Sequence, residues 1–151
     1  MKIGVISDTH GLLRPEAIEA LRNVDHILHA GDVGDTVILD QLRQLAPVTA
    51  IRGNIDHNGA CAQLPETELI ELSGHSIYML HDINTLDLNP AAAGIQVVIS
   101  GHSHKPLIEW KKNVLCFNPG SAGPRRFSLP ISLGYLHIRE RAIEPELITI
   151  L

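Results

Sequence analysis

Apolar residues recur along the first third of the chain as short runs that end at polar residues, glycine or proline. Two segments between these runs carry apolar residues at helical spacing. RPEAIEALR predicts a helix with Pro15 at its first position, and TVILDQLRQL predicts a second helix capped by Asp35. The runs that predict strands are KIGVIS, DHILHA and PVTAIRGN. The order strand, helix, strand, helix, strand favours a parallel sheet with right-handed crossovers.

The rest of the chain is rich in strand-like runs. These are TELIELS, HSIYMLH, GIQVVIS, PLIEWKK, VLCFN, PISLGYLHIRE and AIEPELITIL. Because SGH and KKN join neighbouring runs as short turns, we expect antiparallel or mixed pairing, with a closing hairpin at the end. The segment DLNPAAAG leaves room for one short helix. No repeat or linker interrupts the pattern, so we predict one α/β domain over residues 1–151.

Composition narrows the classes of function. With 151 residues and 44% hydrophobic content, the chain is long and apolar enough for a real core. Aromatic residues are only 3% and the net charge is −5, so a surface that stacks bases or attracts nucleic acid is not expected.

The start of the chain and its cysteines indicate a cytoplasmic protein. MKIGVISDTHG lacks the pattern of a signal peptide, and no apolar window is long enough to cross a membrane, so we expect no membrane partner. Cys61 and Cys116 are far apart in sequence and form no CxxC, which is typical of a reducing compartment.

Polar side chains with metal-binding chemistry follow five of the predicted strands. Taken alone, each short motif is common by chance, and a surface turn explains it. In this order, each behind an apolar run, they indicate one shared site at the carboxyl ends of the strands. The residues are Asp8, His10, Asp32, Asn54, His81, His102 and His104.

This set offers nitrogen and oxygen ligands but no thiolate, which suits Mn²⁺, Fe or Zn²⁺ better than a structural zinc finger. Seven side chains are too many for one tetrahedral ion and suit two ions that share a carboxylate, about 3.5–4 Å apart. Two divalent ions against two aspartates leave a positive centre, which favours an anionic substrate. Metal-bound water supplies hydroxide near neutral pH, so attack on phosphorus is the expected reaction.

The ordered motifs DTH, GD, GN, a separate histidine and GHSH resemble those of the calcineurin-like metallophosphoesterases. The similarity is greatest to the small bacterial and archaeal phosphodiesterases and runs from Met1 to about Arg126, including NPGSAGPRR. The resemblance implies a four-layer α-β-β-α sandwich of two mixed sheets. It also implies hydrolysis of a small phosphodiester by a hydroxide that bridges two divalent ions, with Mn²⁺ expected and Fe, Zn²⁺ and Ni²⁺ as alternatives.

The resemblance also divides the ligands between the two ions. The first site is expected to contain Asp8, His10, Asp32 and His104. The second site is expected to contain Asp32, Asn54, His81 and His102. Asp32 would bridge the two ions.

One position departs from the family pattern. Many members have a histidine directly after the GN asparagine, where it protonates the leaving group, and this chain has Ile55 there. The departure puts phosphomonoesterase activity in doubt. Asp56 and His57 are the candidates for a substitute proton donor, and a solvated turn is the alternative reading of both.

Four later residues are candidates for substrate binding: Asn118, Ser121, Arg125 and Arg126. An arginine there would bind a phosphate through two parallel hydrogen bonds from its guanidinium. The alternative is that both arginines are exposed loop residues without a ligand. His29 either orients Asp32 or is a hydrogen-bonded core histidine.

Two other functions stay open. A retromer subunit similar to these enzymes uses the same fold as a protein-interaction scaffold, although its ligand set is degraded. A phosphomonoesterase or nuclease of the same superfamily is the other alternative. Open strand edges also leave room for a homo-oligomer.

Overall fold

The first five predicted elements form in the predicted order. The computed structural model describes residues 1–151, and its parallel strands β1 (Lys2–Ile6), β2 (His26–His29) and β3 (Val48–Ala50) are joined by α1 (Pro15–Ala20) and α2 (Thr36–Arg43). Pro15 begins α1, and Asp35 caps α2 by accepting a 3.0 Å hydrogen bond from the Val37 N–H. The third strand ends at Ala50, earlier than the predicted Gly53, because the Arg52 N–H donates to Pro65 and leaves the ladder.

The later part of the chain contains the seven predicted strands. They are β4 (Thr67–Leu72), β5 (His75–Leu80), β6 (Val97–Ile99), β7 (Leu107–Lys111), β8 (Val114–Asn118), β9 (Ser132–Arg139) and β10 (Ala142–Thr149). The closing hairpin is β9 with β10, and it pairs antiparallel with β1. DLNPAAAG forms turns and no helix, whereas two 3-10 helices, Gly59–Gln63 and Ile83–Thr85, were not predicted.

The strands form two mixed five-stranded sheets. The first sheet has the order β10-β9-β1-β2-β3, and the second has the order β4-β5-β6-β8-β7. Within the second sheet, β5, β6 and β8 are parallel, and the two outer strands are antiparallel to their neighbours.

Three apolar clusters separate the layers. One lies between the helices and the first sheet, and a second joins the two sheets through residues such as Leu28 and Phe117. A third, small cluster covers the outer face of the second sheet. The expected four-layer α/β sandwich is present, but its fourth layer consists of a 3-10 helix and turns instead of an α-helix. None of the helices has the length and apolar character that crossing a bilayer requires.

A buried histidine ties the ends of β1 and β2 together. The Gly31 N–H donates to His29 Nδ1 at 3.2 Å, so the ring proton lies on Nε2 and is donated to Thr9 Oγ1 at 3.0 Å. The Thr9 hydroxyl in turn donates to the Val33 carbonyl at 2.9 Å. His29 forms no hydrogen bond with Asp32, so it acts on the loops that carry the aspartates rather than on a carboxylate.

This arrangement predicts a specific loss of stability in acid. Burial lowers the pKa of His29 to about 4 in the folded chain, whereas an unfolded histidine has a pKa of about 6.5. Between these values the unfolded state binds the extra proton, so the free energy of unfolding falls as the pH falls through this window. From pH 7.5 to 5.0 we expect His29 to contribute a loss of about 2 kcal/mol.

The measurement is urea unfolding of the wild type and of His29→Gln at both pH values, with chelator present throughout. The variant should be less stable at pH 7.5 but should lose about 2 kcal/mol less than the wild type on acidification. Parallel losses in the two proteins would show that His29 is not held neutral.

Candidate metal centre

The loops after five strands converge at one edge of the two sheets. Within the first sheet, the Asp8 N–H donates to the Gly31 carbonyl at 3.0 Å and the His10 N–H donates to the Asp32 carbonyl at 2.9 Å. Between the sheets, the His102 N–H donates to Asp8 Oδ2 at 3.1 Å. The carboxyl ends of strands from both sheets therefore meet through direct hydrogen bonds.

Two glycines allow this close approach. A Cβ atom on Gly53 would overlap the Asp32 carboxylate. A Cβ atom on Gly101 would overlap Ser7 Oγ and would lie 2.7 Å from Asp8 Oδ2. Any side chain at either position would displace an aspartate, so the site depends on glycine here.

The backbone is strained at five of the seven predicted ligands. Eleven non-glycine residues have positive φ, and five of them are Asp8 (56°), His10 (47°), Asp32 (54°), His102 (69°) and His104 (63°). A non-glycine residue in the left-handed region costs on the order of 1–3 kcal/mol and persists only where the surroundings impose it. Such clustering of strain is typical of a functional site.

The structure brings the charged and imidazole side chains into two adjacent groups. Asp8, His10 and His104 form one group, in which the possible ligand atoms all lie within 4.8 Å of one another. Asp32, His81 and His102 form the other group by the same measure. The division that the family resemblance implies differs in two respects, because it assigns Asp32 to both sites and adds Asn54 to the second.

Asp32 lies between the two groups. Its Oδ1 accepts a 3.0 Å hydrogen bond from the Ile55 N–H, which fixes the carboxylate. Its Oδ2 is 3.4 Å from His10 Nε2 and 3.2 Å from His81 Nε2. One oxygen atom is therefore close to an imidazole from each group.

Asp8 is anchored through one oxygen and leaves the other free. Oδ2 accepts hydrogen bonds from Ser7 Oγ at 2.8 Å and from the His102 N–H. Oδ1 lies 3.5 Å from His104 Nε2 and 3.8 Å from both His10 Nε2 and His81 Nε2. Ser7 was not identified from the sequence, because a serine at the end of a strand carries no specific signal.

Five buried side-chain atoms at this place have no hydrogen-bond partner. They are Asp8 Oδ1, His10 Nε2, His81 Nε2, His104 Nδ1 and His104 Nε2. A buried polar atom without a partner costs about 1–3 kcal/mol, so such atoms are rare in folded proteins. Four of the five point into one shared space. They are nitrogen and oxygen atoms of the kind that bind metal ions. These residues fit divalent cations, which would satisfy them directly.

The pKa values of Asp8 and Asp32 depend on contacts between the clustered side chains. Burial opposes the ionisation of Asp8, but its contacts with His10 and His104 outweigh burial and hold the pKa of Asp8 below its usual range. Burial also opposes ionisation of Asp32, yet His81 and the Ile55 N–H lower the pKa of Asp32.

The Nδ1 atom of His81 lies 2.7 Å from the Ala30 carbonyl and donates its proton there. Burial favours neutral His81, but Asp32 and this hydrogen bond prevail and raise the pKa of His81. A cation would displace the proton from Nε2, because Nδ1–H is already held by the backbone.

Asn54 and Asp82 flank His102 of the second group. Asn54 Oδ1 lies 3.1 Å from His102 Nδ1. Asp82 Oδ2 lies 3.9 Å from His102 Nε2, and its Oδ1 accepts from the Asn84 N–H. Asp82 was not identified from the sequence as a neighbour of the site, although it directly follows the candidate ligand His81.

Two of the four candidate substrate-binding residues are buried beneath the site. Asn118 is 5% exposed, donates to the Gly101 carbonyl at 3.0 Å and accepts from the Gly120 N–H. Ser121 is 2% exposed and donates to the Asp8 carbonyl at 3.0 Å. Both side chains hold the loops of the candidate ligands in place, and their contact with a substrate stays a prediction.

Asp56 differs from the expected proton donor. Its carboxylate accepts from the N–H groups of Val33 at 3.0 Å, Gly34 at 2.9 Å and Gly53 at 2.9 Å. Both oxygens are occupied and the side chain is buried, so Asp56 joins the loops after β2 and β3. His57 is exposed.

Arg125 and Arg126 lie beside the first group. With His10, His104 and Pro124 they line a cavity of about 160 Å³. A second cavity of about 310 Å³ borders Asn54, His81 and His102. The two largest surface cavities, of about 490 and 470 Å³, contain none of the seven clustered side chains.

Comparison with known proteins places these features in a family. Residues 1–141 match the calcineurin-like phosphoesterase superfamily domain. A probable metallophosphoesterase of Methanothermobacter thermautotrophicus is 37% identical over 161 aligned positions, which cover 98% of this chain and 92% of that protein.

Solved structures share the fold. The structure of a novel archaeal phosphodiesterase is 25% identical, with a TM-score of 0.80 over 98% of this chain and 100% of that one. Vps29 of Entamoeba histolytica complexed with Zn²⁺ is 23% identical, with a TM-score of 0.77 over the whole of both chains. The second likeness concerns the fold alone.

A family match over nearly the whole chain, together with a relative of 37% identity along its length, shows that this chain belongs to the calcineurin-like phosphoesterase superfamily.

Proposed function

We propose that residues 1–151 act as one metal-dependent phosphodiesterase domain that hydrolyses a small phosphate diester. The observation that carries the proposal is the set of five buried, unpartnered side-chain atoms, four of which face one space beside Asp8 and Asp32, in a chain of a phosphoesterase family. The archaeal phosphodiesterase of similar structure supports the diester as substrate class. The free cysteines, Cys61 and Cys116, suit work in the cytoplasm.

The proposed ligands follow the two groups. Asp8, His10, Asp32 and His104 would hold one divalent ion, and Asp32, Asn54, His81 and His102 would hold the other. The nitrogen and oxygen chemistry of the set suits Mn²⁺, with Fe, Zn²⁺ and Ni²⁺ as alternatives. When bound, the ions would supply a hydroxide nucleophile near neutral pH and draw charge from the phosphoryl oxygens.

The chain's own residues set the geometry for this chemistry. Asp32 is held by the Ile55 N–H and Asp8 by Ser7 and the His102 N–H, so neither carboxylate is free to rotate away. His81 is oriented by the Ala30 carbonyl. Such fixed supports keep the side chains in their binding geometry, so little reorganisation is needed when the substrate arrives.

The choice of a diester over a monoester rests on the leaving group. Ile55 cannot transfer a proton, and both Asp56 oxygens are occupied by backbone N–H groups. His57 is the remaining nearby candidate for a proton donor. Without an efficient proton donor, substrates with good leaving groups should be hydrolysed best.

The scaffold function is the main alternative, since the fold is shared with Vps29. The complete ligand set and its strained backbone weigh against it, because a scaffold has no need of unpartnered buried histidines. The net charge of −5 weighs against a nuclease, and Ile55 weighs against a phosphomonoesterase.

The direct test is hydrolysis of bis(p-nitrophenyl) phosphate by Mn²⁺-loaded protein. We expect activity that chelation abolishes, and at least about a 100-fold loss of kcat/KM in Asp32→Asn together with reduced Mn²⁺ content, because both ions lose a charged ligand. Asp40→Asn makes the same chemical change on an exposed face of α2 and should behave as the wild type. Turnover that survives exhaustive chelation would rule out this function.

The missing proton donor predicts a gain of function. In Ile55→His the ratio of phenyl phosphate to bis(p-nitrophenyl) phosphate turnover should rise about tenfold, because general acid catalysis helps a poor leaving group most. Ile55→Gln keeps the backbone hydrogen bond to Asp32 without a group that titrates near neutral pH and is the matched control. An equal ratio in both variants would show that the leaving group is protonated from elsewhere.

A further inference from the structure

The metal centre opens into two cavities with different electrostatics. The cavity of about 160 Å³ borders the rings of His10 and His104, and the cavity of about 310 Å³ borders His81 and His102. The two cavities share no lining residue. A substrate that spans the centre therefore places its two substituents in different surroundings.

The smaller cavity is cationic. Arg125 and Arg126 line it, and no acidic residue does. Arg125 donates to the carbonyls of Leu129 and Leu151 at 3.2 and 3.5 Å, which ties down its exposed loop. Arg126 forms no salt bridge and no side-chain hydrogen bond in the structure, so its guanidinium is available to a ligand.

The base of this loop is fixed. Arg14 donates to the Gly123 carbonyl through Nε at 3.3 Å and through Nη2 at 3.2 Å. A Cβ atom on Gly123 would overlap the Thr9 carbonyl, so the loop packs directly against the segment between Asp8 and His10. The two arginines consequently start from an anchored position beside the metal centre.

Apart from the imidazoles of His81 and His102, the larger cavity carries a net negative charge. Arg52 there is neutralised by Glu66, with Nη2 and Oε1 at 2.7 Å. Asp82 has no cationic partner except the imidazole of His102, at 3.9 Å. One arginine against two carboxylates leaves this side unfavourable for a second anion.

We propose that the substrate is an asymmetric phosphodiester with a second anionic group, a phosphate, which binds between Arg125 and Arg126. The uncharged substituent lies on the Asp82 side. This inference rests on the proposed function and adds the substrate class. The cavity, of about 160 Å³, is large enough for a phosphate group.

The second phosphate is separate from the one that is hydrolysed. The reacting phosphate must face the unpartnered atoms of Asp8, His10 and His81, which lie inside the cluster. The arginines lie at the rim, beyond the rings of His10 and His104. A planar guanidinium with two parallel donors recognises phosphate oxygens there, and its attraction is weakened but not abolished by solvent.

A matched pair of esters tests the proposal. The p-nitrophenyl ester of thymidine 5′-monophosphate and the same ester with an added 3′-phosphate differ only in the second anion. With Mn²⁺-loaded wild-type protein, kcat/KM for the phosphorylated ester should exceed that for the simple ester by about tenfold. One additional charge-assisted hydrogen bond accounts for a difference of this size. Calorimetry should likewise show tighter binding of thymidine 3′,5′-bisphosphate than of thymidine 5′-monophosphate.

Substitution of Arg126 tests whether its loop causes the preference for the phosphorylated ester. Arg126→Ala should lower kcat/KM for the phosphorylated ester about tenfold more than for the simple ester, and Arg126→Lys should restore part of the difference. Arg139→Ala removes the same charge from an exposed position in β9, near its turn into β10, and should keep the wild-type preference. An equal rate for both esters, or a preference that persists in Arg126→Ala, would overturn the proposal.

Two further outcomes distinguish failure of the phosphodiesterase function from failure of the proposed substrate class. If neither ester is hydrolysed with any divalent ion, the proposed phosphodiesterase function fails rather than the substrate class. If the esters react alike and inorganic phosphate alters turnover of the simple ester in the wild type but not in Arg126→Ala, the cavity takes a free anion, and the substrate class is wrong.

Discussion

Two buried carboxylates surrounded by imidazole nitrogens dominate the physical chemistry of this protein. Asp8 and Asp32 are 0% and 3% exposed, and each lies close to at least two histidine rings. Without a cation the group leaves Asp8 Oδ1 and four ring nitrogens unsatisfied, a combination that folded proteins otherwise avoid. Divalent ions bound among these side chains would lower this penalty, and much of the remaining structure holds the same side chains in place.

Hydrogen bonds from the neighbouring loops hold the clustered side chains in place. Asp56 binds three backbone N–H groups across the loops after β2 and β3, Asn118 fixes the loop that carries His102 and His104, and Ser121 holds the Asp8 carbonyl. Five ligand residues adopt left-handed backbone conformations, which the packing must impose against their intrinsic preference. The core between the sheets is mostly aliphatic, so the fold can accommodate strain that is confined to one edge.

The sequence predicts the site better than it predicts its surroundings. Apolar runs that end at Asp8, Asp32 and His81 locate the strand ends, and the topology of parallel strands then brings those ends together. The buried roles of Asn118, Ser121 and Asp56 were not predictable in the same way, because each depends on hydrogen bonds to residues distant in sequence. The turns in place of a helix near Pro90 and the early end of β3 likewise follow from tertiary contacts that override local pattern.

The central claim is that the seven side chains hold two adjacent ions. The most direct measurement is Mn²⁺ titration of metal-free protein, with metal content and electron paramagnetic resonance recorded at each step. A shared carboxylate would place two ions about 3.5–4 Å apart, so we expect saturation at two ions per chain and a spin-coupled spectrum at full loading. Saturation at one ion per chain, or two ions with the spectrum of isolated Mn²⁺, would contradict the central claim.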